Sequence, residues 1–354
     1  MKGLILSGGQ GTRLRPLTYT GAKQLVPVAN KPVIFWAIED LVEAGITDLG
    51  IVIGDTGNQI KAAVGDGSRF GARVTYIPQE APLGIAHGIK IAREFLGDDR
   101  FVLFLGDNFI RDGVAPLVES FRNSSMNCQI ILYKVPNPQA FGVAVMDKDR
   151  VVRLVEKPRE FISDLAVIGI YMFDRHVFDA VTAIKPSARG ELEITETIQY
   201  LLDHGYDVRS HLLTGWWIDT GKMEDMLDAN RLILDVMEPR NEGQADAASQ
   251  LVGRVFVEKD ARLVNSTVRG PAIIGERTLI ENSYVGPYTS IYHDCVVSGS
   301  EIEHSIVLEN CKIVNIDRRI EDSLIGRNVE ITKSDAKPRA YRMVVGDYSK
   351  VGVL

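Results

Sequence analysis

Over the first 235 or so residues, short apolar runs alternate with stretches whose apolar positions recur at helical spacing. Lys2–Leu6, Leu49–Ile53, Val74–Ile77 and Phe101–Leu105 predict strands, with helices over Val33–Ala44, Gln59–Val64 and Gly84–Phe95 between them. An unbroken apolar run such as Phe101–Leu105 suits a strand covered on both faces, as in a sheet flanked by helices. Ile130–Lys134, Val143–Met146, Val151–Glu156, Ile168–Phe173 and Val208–Leu212 predict further strands, and Lys222–Met237 a closing helix. The pattern therefore reads as an α/β domain over residues 1–237.

The period then changes. Residues 238–252 lack apolar periodicity and read as a linker. Beyond them, in 253–354, aliphatic residues recur every six positions: Val268, Ile274 and Ile280; Val285, Ile291 and Val297; Ile302, Leu308, Val314 and Ile320; Ile325 and Ile331. A six-residue step is neither helical nor that of one long strand. It marks a parallel β-helix, in which each short side sends one aliphatic side chain into a triangular core. About ten such hexads predict three to four coils. Gly275, Gly286 and Gly326 follow inward positions and are expected at tight corners.

Composition narrows the partners. The 354 residues are 25% charged and 45% hydrophobic, the balance of a folded globular chain. A net charge of −7 argues against a nucleic-acid binder, which carries a basic face. It leaves a nucleotide substrate open, since a few local cations suffice for a triphosphate. Cys128, Cys295 and Cys311 are odd in number and widely spaced, so neither a disulfide framework nor a zinc site is expected. No apolar run reaches the roughly 18 residues of a membrane span, and the chain opens on a strand rather than a signal peptide. A cytoplasmic protein without membrane partners is the expectation.

The candidate chemistry sits at strand ends. The first strand runs into Gly8-Gly9-Gln10-Gly11-Thr12-Arg13, and Lys23 follows ten residues after that arginine. Glycines let the backbone approach an anion, their N–H groups donate to it, and the cations neutralise it. No P-loop lysine follows, and the spacing is not that of a dinucleotide fingerprint. Asp107 ends the strand Phe101–Leu105 in Gly106-Asp107-Asn108, and Asp219 ends a second apolar stretch. Each could be a turn residue, but two such carboxylates brought together would seat Mg²⁺, which takes one or two carboxylates plus phosphate oxygens and water. Glu156-Lys157-Pro158 and the stretch Arg189–Thr195 could serve a sugar and its phosphate, through carboxylates on hydroxyls and cations on the anion. Gln79 through Gly84 offers an amide and backbone groups for a planar base, or a plain turn before a helix.

Taken together and in order, these segments resemble the sugar-1-phosphate nucleotidyltransferases, and within them the long-form glucose-1-phosphate thymidylyltransferases. The resemblance is carried by 6–18, 22–32, 82–86, 105–108, 141–143, 155–158, 187–195 and 217–221. It implies a Rossmann-like nucleotidyltransferase domain, followed by a short left-handed parallel β-helix, and transfer of a nucleotidyl group from dTTP to glucose 1-phosphate. This would be the first step toward dTDP-deoxysugars. Leu6, Gly8, Gly9, Gly11, Thr12, Gln24, Gln79, Pro82 and Gly84 would hold the nucleotide, with Arg13 and Lys23 on its phosphates. Asp107 and Asp219 would hold Mg²⁺. Asn108, Gly142, Glu156, Lys157, Val167, Tyr171, Arg189 and Trp217 would line the sugar phosphate pocket. Arg13, Lys23, Asp107, Lys157 and Asp219 would carry the catalysis. The short form has serine where this chain has Ala22.

Three alternatives stay open at this level. Thymine differs from uracil by a methyl, worth only about 1–3 kcal/mol, so a UTP-using uridylyltransferase fits nearly as well. A β-helix could add an acetyltransferase, although the tail is short and packing or subunit assembly in a homo-oligomer suits it better. A non-catalytic nucleotide-sugar sensor would be expected to lose some of the arginine, lysine and aspartates that are all present here.

Overall fold

The computed structural model describes residues 1–9, 11–333 and 341–352; Gln10 of the glycine loop, and 334–340 and 353–354 of the expected C-terminal domain, lie outside them. The chain groups into two compact units. One comprises Met1–Gln10, Ala22–Leu25 and Val33–Asp219, and the other Gly11–Gly21, Val26–Pro32 and Thr220–Leu354.

The first unit is built on a nine-stranded mixed sheet. Lys2–Ser7 pairs in parallel with Asp48–Ile53 on one side and Phe101–Leu105 on the other, and Asp48–Ile53 with Arg73–Pro78. Leu165–Phe173 is antiparallel to Phe101–Leu105 and carries Cys128–Lys134 and Gly142–Asp147. Strand alternation splits the interior into two cores. Leu4, Val52 and Leu103 face a layer holding Ala86, Ile89, Ile198 and Leu201, whereas Ile5, Ile51 and Phe104 face Ile34, Ile38, Leu117 and Phe121. Helices thus cover both faces, and Phe101–Phe104 is fully buried, as an unbroken apolar run requires. The predicted helix over Gly84–Phe95 is two, Ile85–Ile91 and Arg93–Leu96.

The second unit contains three parallel sheets of six, six and four short strands, the arrangement of a left-handed parallel β-helix. Val255 pairs with Ala272, 17 residues on, and Ala272 with Thr289 in turn. Val257, Leu263, Val268, Ile274, Ile280, Val285, Ile291, Val297 and Ile302 fill its core. Three expectations change here. The segment expected as a linker carries Arg240–Asn241, Gln244–Ala245 and Gln250–Val252, each paired in parallel with the next coil. Ala245 and Leu251 continue the six-residue step backward, but one is small and the other partly exposed, so the signal fades. With this coil added, the stack is taller than three to four turns. Next, Val307 and Ile313 enter the core in place of Leu308 and Val314, because a five-residue step follows Ile302. Finally, one line of corners turns at Asp260, Arg277, Asp294, Asn310 and Asn328, all left-handed; Gly275, Gly286 and Gly326 are not. Asn and Asp tolerate that conformation through local hydrogen bonds.

Candidate functional site

Two three-residue strands create the acidic end of the site. Trp217–Asp219 pairs antiparallel with Asn108–Ile110, placing Asp219 opposite Asn108 and so beside Asp107. Lys23, from the short helix Lys23–Leu25, joins them: its ammonium donates to Asp107 Oδ2 and lies 3.7 Å from Asp219 Oδ1. Lys23 is buried, so its charge is held in place by those carboxylates rather than by water. The fold brings the two predicted aspartates together, with Lys23 between them. Gln24 is buried beside this cluster.

Asn108 organises the surroundings. Its Nδ2 donates to Asp107 Oδ1 at 3.0 Å, while its Oδ1 accepts from Trp217 Nε1 at 2.7 Å and from the Gly169 N–H at 3.3 Å. It is buried, so its side chain holds the aspartate and the tryptophan instead of reaching outward. Trp217 in turn packs on Tyr133 and Phe141.

The nucleotide-loop residues divide between the two units. Gly8 and Gly9 end the first strand, and Gln79 lies close to Gly8, with its Nε2 donating to His87 Nδ1 at 2.9 Å. Burial, reinforced by the Lys90 charge, pulls the His87 pKa down and favours the neutral ring; the amide nitrogen can only donate, so Nδ1 is the acceptor. Leu83 O accepts from the Leu192 N–H at 2.8 Å, tying the Pro82–Gly84 turn to the entry of a helix. In the second unit, Gly11 caps the short helix Thr12–Leu14, and Thr18 Oγ1 donates to Gly11 O at 2.7 Å. The Arg13 guanidinium lies against Gly221, where a Cβ would come within 2.8 Å of Nη2, so a larger residue would displace it.

A second cluster of charge lies where the strand Arg150–Glu156 ends and the helix Ile194–Asp203 begins. Arg189 donates to Glu156 Oε1 at 3.0 Å and, from the same nitrogen, to Glu193 at 2.8 Å. Thr195 Oγ1 donates to Glu156 Oε2 at 3.1 Å, and Lys157 Nζ sits 3.9 Å from Oε1. A Cβ on Gly142 would fall 2.5 Å from Thr195 Cγ2 and 3.0 Å from Glu156 Oε2, so this strand can close on the carboxylate only as glycine. Burial, and then the charge of Glu193, push the Glu156 pKa above the ordinary glutamate value of 4.5, against the lowering pull of Lys157, Arg189 and Thr195. Val167 lies in the same strand as Tyr171, at a register irregularity. Tyr171 is buried and stacks on Phe173 within the core, so it forms floor rather than wall.

Sequence reasoning passed over Glu193, Thr195 as a donor, and His87. Glu193 and Thr195 stood inside a quoted motif, but Glu156, which Thr195 bonds and Arg189 bridges to Glu193, is nearly 40 positions away and nothing local marks the contact. Among the described residues, no group of three or more His, Cys, Asp or Glu is arranged to hold a metal ion. No helix among them is long and apolar enough to cross a membrane.

Comparison with known proteins adds the following. The family described as Nucleotidyl transferase matches residues 2–236. A glucose-1-phosphate thymidylyltransferase of Streptomyces griseus is 53% identical over 354 residues, covering 100% of this chain and 99% of that protein. One from Streptomyces antibioticus is 52% identical, at 100% and 99% coverage. A Bacillus anthracis crystal structure described as a glucose-1-phosphate thymidylyltransferase, in complex with sucrose, superposes with a TM-score of 0.64. It is 38% identical and covers 68% of this chain and 98% of its own.

Proposed function

As the chain belongs to the nucleotidyl transferase family, we propose that it transfers a thymidylyl group from dTTP to glucose 1-phosphate, giving dTDP-glucose and pyrophosphate. The observation that carries this reading is the pairing of Asn108–Ile110 with Trp217–Asp219, which sets two carboxylates side by side with Lys23 between them. The full-length relatives named for this activity favour dTTP over the UTP and acetyltransferase alternatives.

A phosphate oxygen of the sugar phosphate attacks the α-phosphorus, a new P–O bond forms, and the bond to the β-phosphate oxygen breaks to release pyrophosphate. That oxygen is anionic at neutral pH, so no general base is required. The obstacle is repulsion between two anions, and catalysis is chiefly positioning and charge neutralisation. Lys23, fixed between Asp107 and Asp219, presents an ammonium to the triphosphate. Arg13, at the end of the glycine loop, meets the charge that grows on the leaving group. Glu156 accepts hydrogen bonds from sugar hydroxyls, and Lys157 neutralises the sugar phosphate.

The donor set suits Mg²⁺, a hard cation that takes a carboxylate or two together with substrate phosphates, and Asp107 and Asp219 would hold it. Bound there, it would supply further neutralisation of phosphate charge. We read the protein as cytoplasmic and homo-oligomeric, with residues 1–237 supplying the chemistry. Pyrophosphate release, measured across dTTP, UTP, CTP and dCTP and several sugar 1-phosphates with and without Mg²⁺, tests the reading. Fastest release is expected from dTTP with glucose 1-phosphate and Mg²⁺; a strong preference for CTP would overturn it.

A further inference from the structure

Lys23 is followed three residues later by a hairpin that is bound into the same compact unit as the β-helix. The hairpin pairs Pro27–Val28 with Lys31–Pro32, and its two turn residues, Ala29 and Asn30, have φ of 48° and 58°. Positive φ at both central positions defines the tight turn that joins antiparallel strands, and for alanine it is strained. Something must hold it. Asn230, in the helix Met223–Val236, is wholly buried and does so: its Oδ1 accepts from the Ala29 N–H at 2.8 Å.

The same side chain is bonded to the β-helix. Asn230 Oδ1 also accepts from Ser290 Oγ at 2.6 Å, and its Nδ2 donates to Tyr288 O at 2.9 Å. Asn30 adds a second tie, its Nδ2 donating to Ile291 O at 2.9 Å. Among the described contacts, the side-chain bonds of the hairpin tip thus come from a buried amide or end on one coil of the β-helix, residues 288–291. A buried asparagine whose side chain bonds three groups in two separate segments is costly to keep unless all three bonds are made. Here they are.

We infer that Asn230 and Asn30 are positioning residues for nucleotide transfer: they fix the hairpin that follows Lys23 in the chain, and so restrain the segment that carries Lys23. The inference rests on the reading of Lys23 as a triphosphate contact. It assigns the C-terminal coils a role in catalysis that does not require a second active site.

Asn30→Gly in the full-length chain is the discriminating variant. Glycine adopts the turn's φ freely, so the hairpin is retained and only the bond to Ile291 O is lost. Asn230→Ala removes the remaining ties and, being buried, tests the larger loss. In amide hydrogen exchange without ligand, Asn30→Gly is expected to speed exchange across Lys23–Val28, ahead of the hairpin tip, with the thermal midpoint almost unchanged. In steady-state kinetics, KM for the triphosphate is expected to rise about tenfold while KM for the sugar phosphate stays within about twofold. Faster exchange confined to 29–32 with both KM values unchanged would overturn the inference. So would a fall in thermal stability with both KM values intact in Asn230→Ala. The exchange measurement involves no substrate, so a different nucleotide preference would overturn the functional reading while leaving this result to stand.

Discussion

The two charged clusters of the sheet domain both set cations against carboxylates, in different arrangements. Around Asp107 and Asp219, two carboxylates flank one buried ammonium. Around Glu156, a single arginine is divided among Glu156, Glu191 and Glu193, and burial lifts the central carboxylate. The first arrangement presents a fixed ammonium and suits a polyanion. The second holds a carboxylate less eager to ionise, which suits neutral hydroxyls. Placement on strand ends is common to both; what burial holds, an ammonium in one and a carboxylate in the other, separates them.

Four experiments would break or sharpen that contrast. Asp107→Ala is expected to lower kcat by at least about 10²–10³, or ~3–4 kcal/mol, with little change in KM for the sugar phosphate. Near-normal turnover in Mg²⁺ would show that the paired aspartates are not the catalytic end. Glu156→Gln should act on the other substrate, raising KM for glucose 1-phosphate by roughly 10–100-fold, the worth of a hydrogen bond to a charged group, and leaving nucleotide affinity alone. Equal effects on both substrates would erase the distinction.

The pH profile follows from the raised pKa of Glu156. As pH falls, this carboxylate protonates earlier than an ordinary glutamate, so kcat/KM for the sugar phosphate should decline above pH 4.5, and Glu156→Gln should abolish that limb. Its effect on folding has the reverse sign. The folded state holds the proton more tightly, so the contribution to stability is complete below 4.5 and is lost as pH rises through the folded value. Activity and stability parting company over one pH range would be the signature, read by kinetics beside thermal melts. The smallest change is Thr195→Val. It deletes one donor to Glu156, costs about 0.5–1.5 kcal/mol in sugar phosphate binding, and moves the acidic limb to higher pH. A limb that stays in place would mean Thr195 has no hold on that carboxylate.

Much of this was legible in the chain, for physical reasons that also mark the limit. Phe101–Leu105 announces a buried strand because every residue on it must avoid water, and the six-residue aliphatic step announces the β-helix because its core admits one side chain per side. Asp107 and Asp219 could be picked out as strand-end carboxylates. Their union was implied by the family resemblance and not by the local pattern, since the strands that join them are three residues long and leave no periodicity. Ile306, Val307 and Leu308 are three adjacent aliphatics, so composition alone does not decide which enters the core; the five-residue step after Ile302 does. Asn230 sat unremarked in a helix, because its three partners come from segments some 60 and 200 positions away.

The coil-to-coil spacing has one more consequence. In its strand pairing, each rung of the C-terminal stack joins the rung before and the rung after, as Val255 does Ala272 and Ala272 does Thr289. Stability in such an array accumulates as a sum over neighbours instead of arising from one cooperative centre. Damage in it should stay local, with melting that begins at the free ends and travels inward like an unravelling edge. The rung at Tyr288–Ile291, four strands into its six-strand sheet, lies away from both ends. The part of the stack that grips the hairpin is thus the part that frays last.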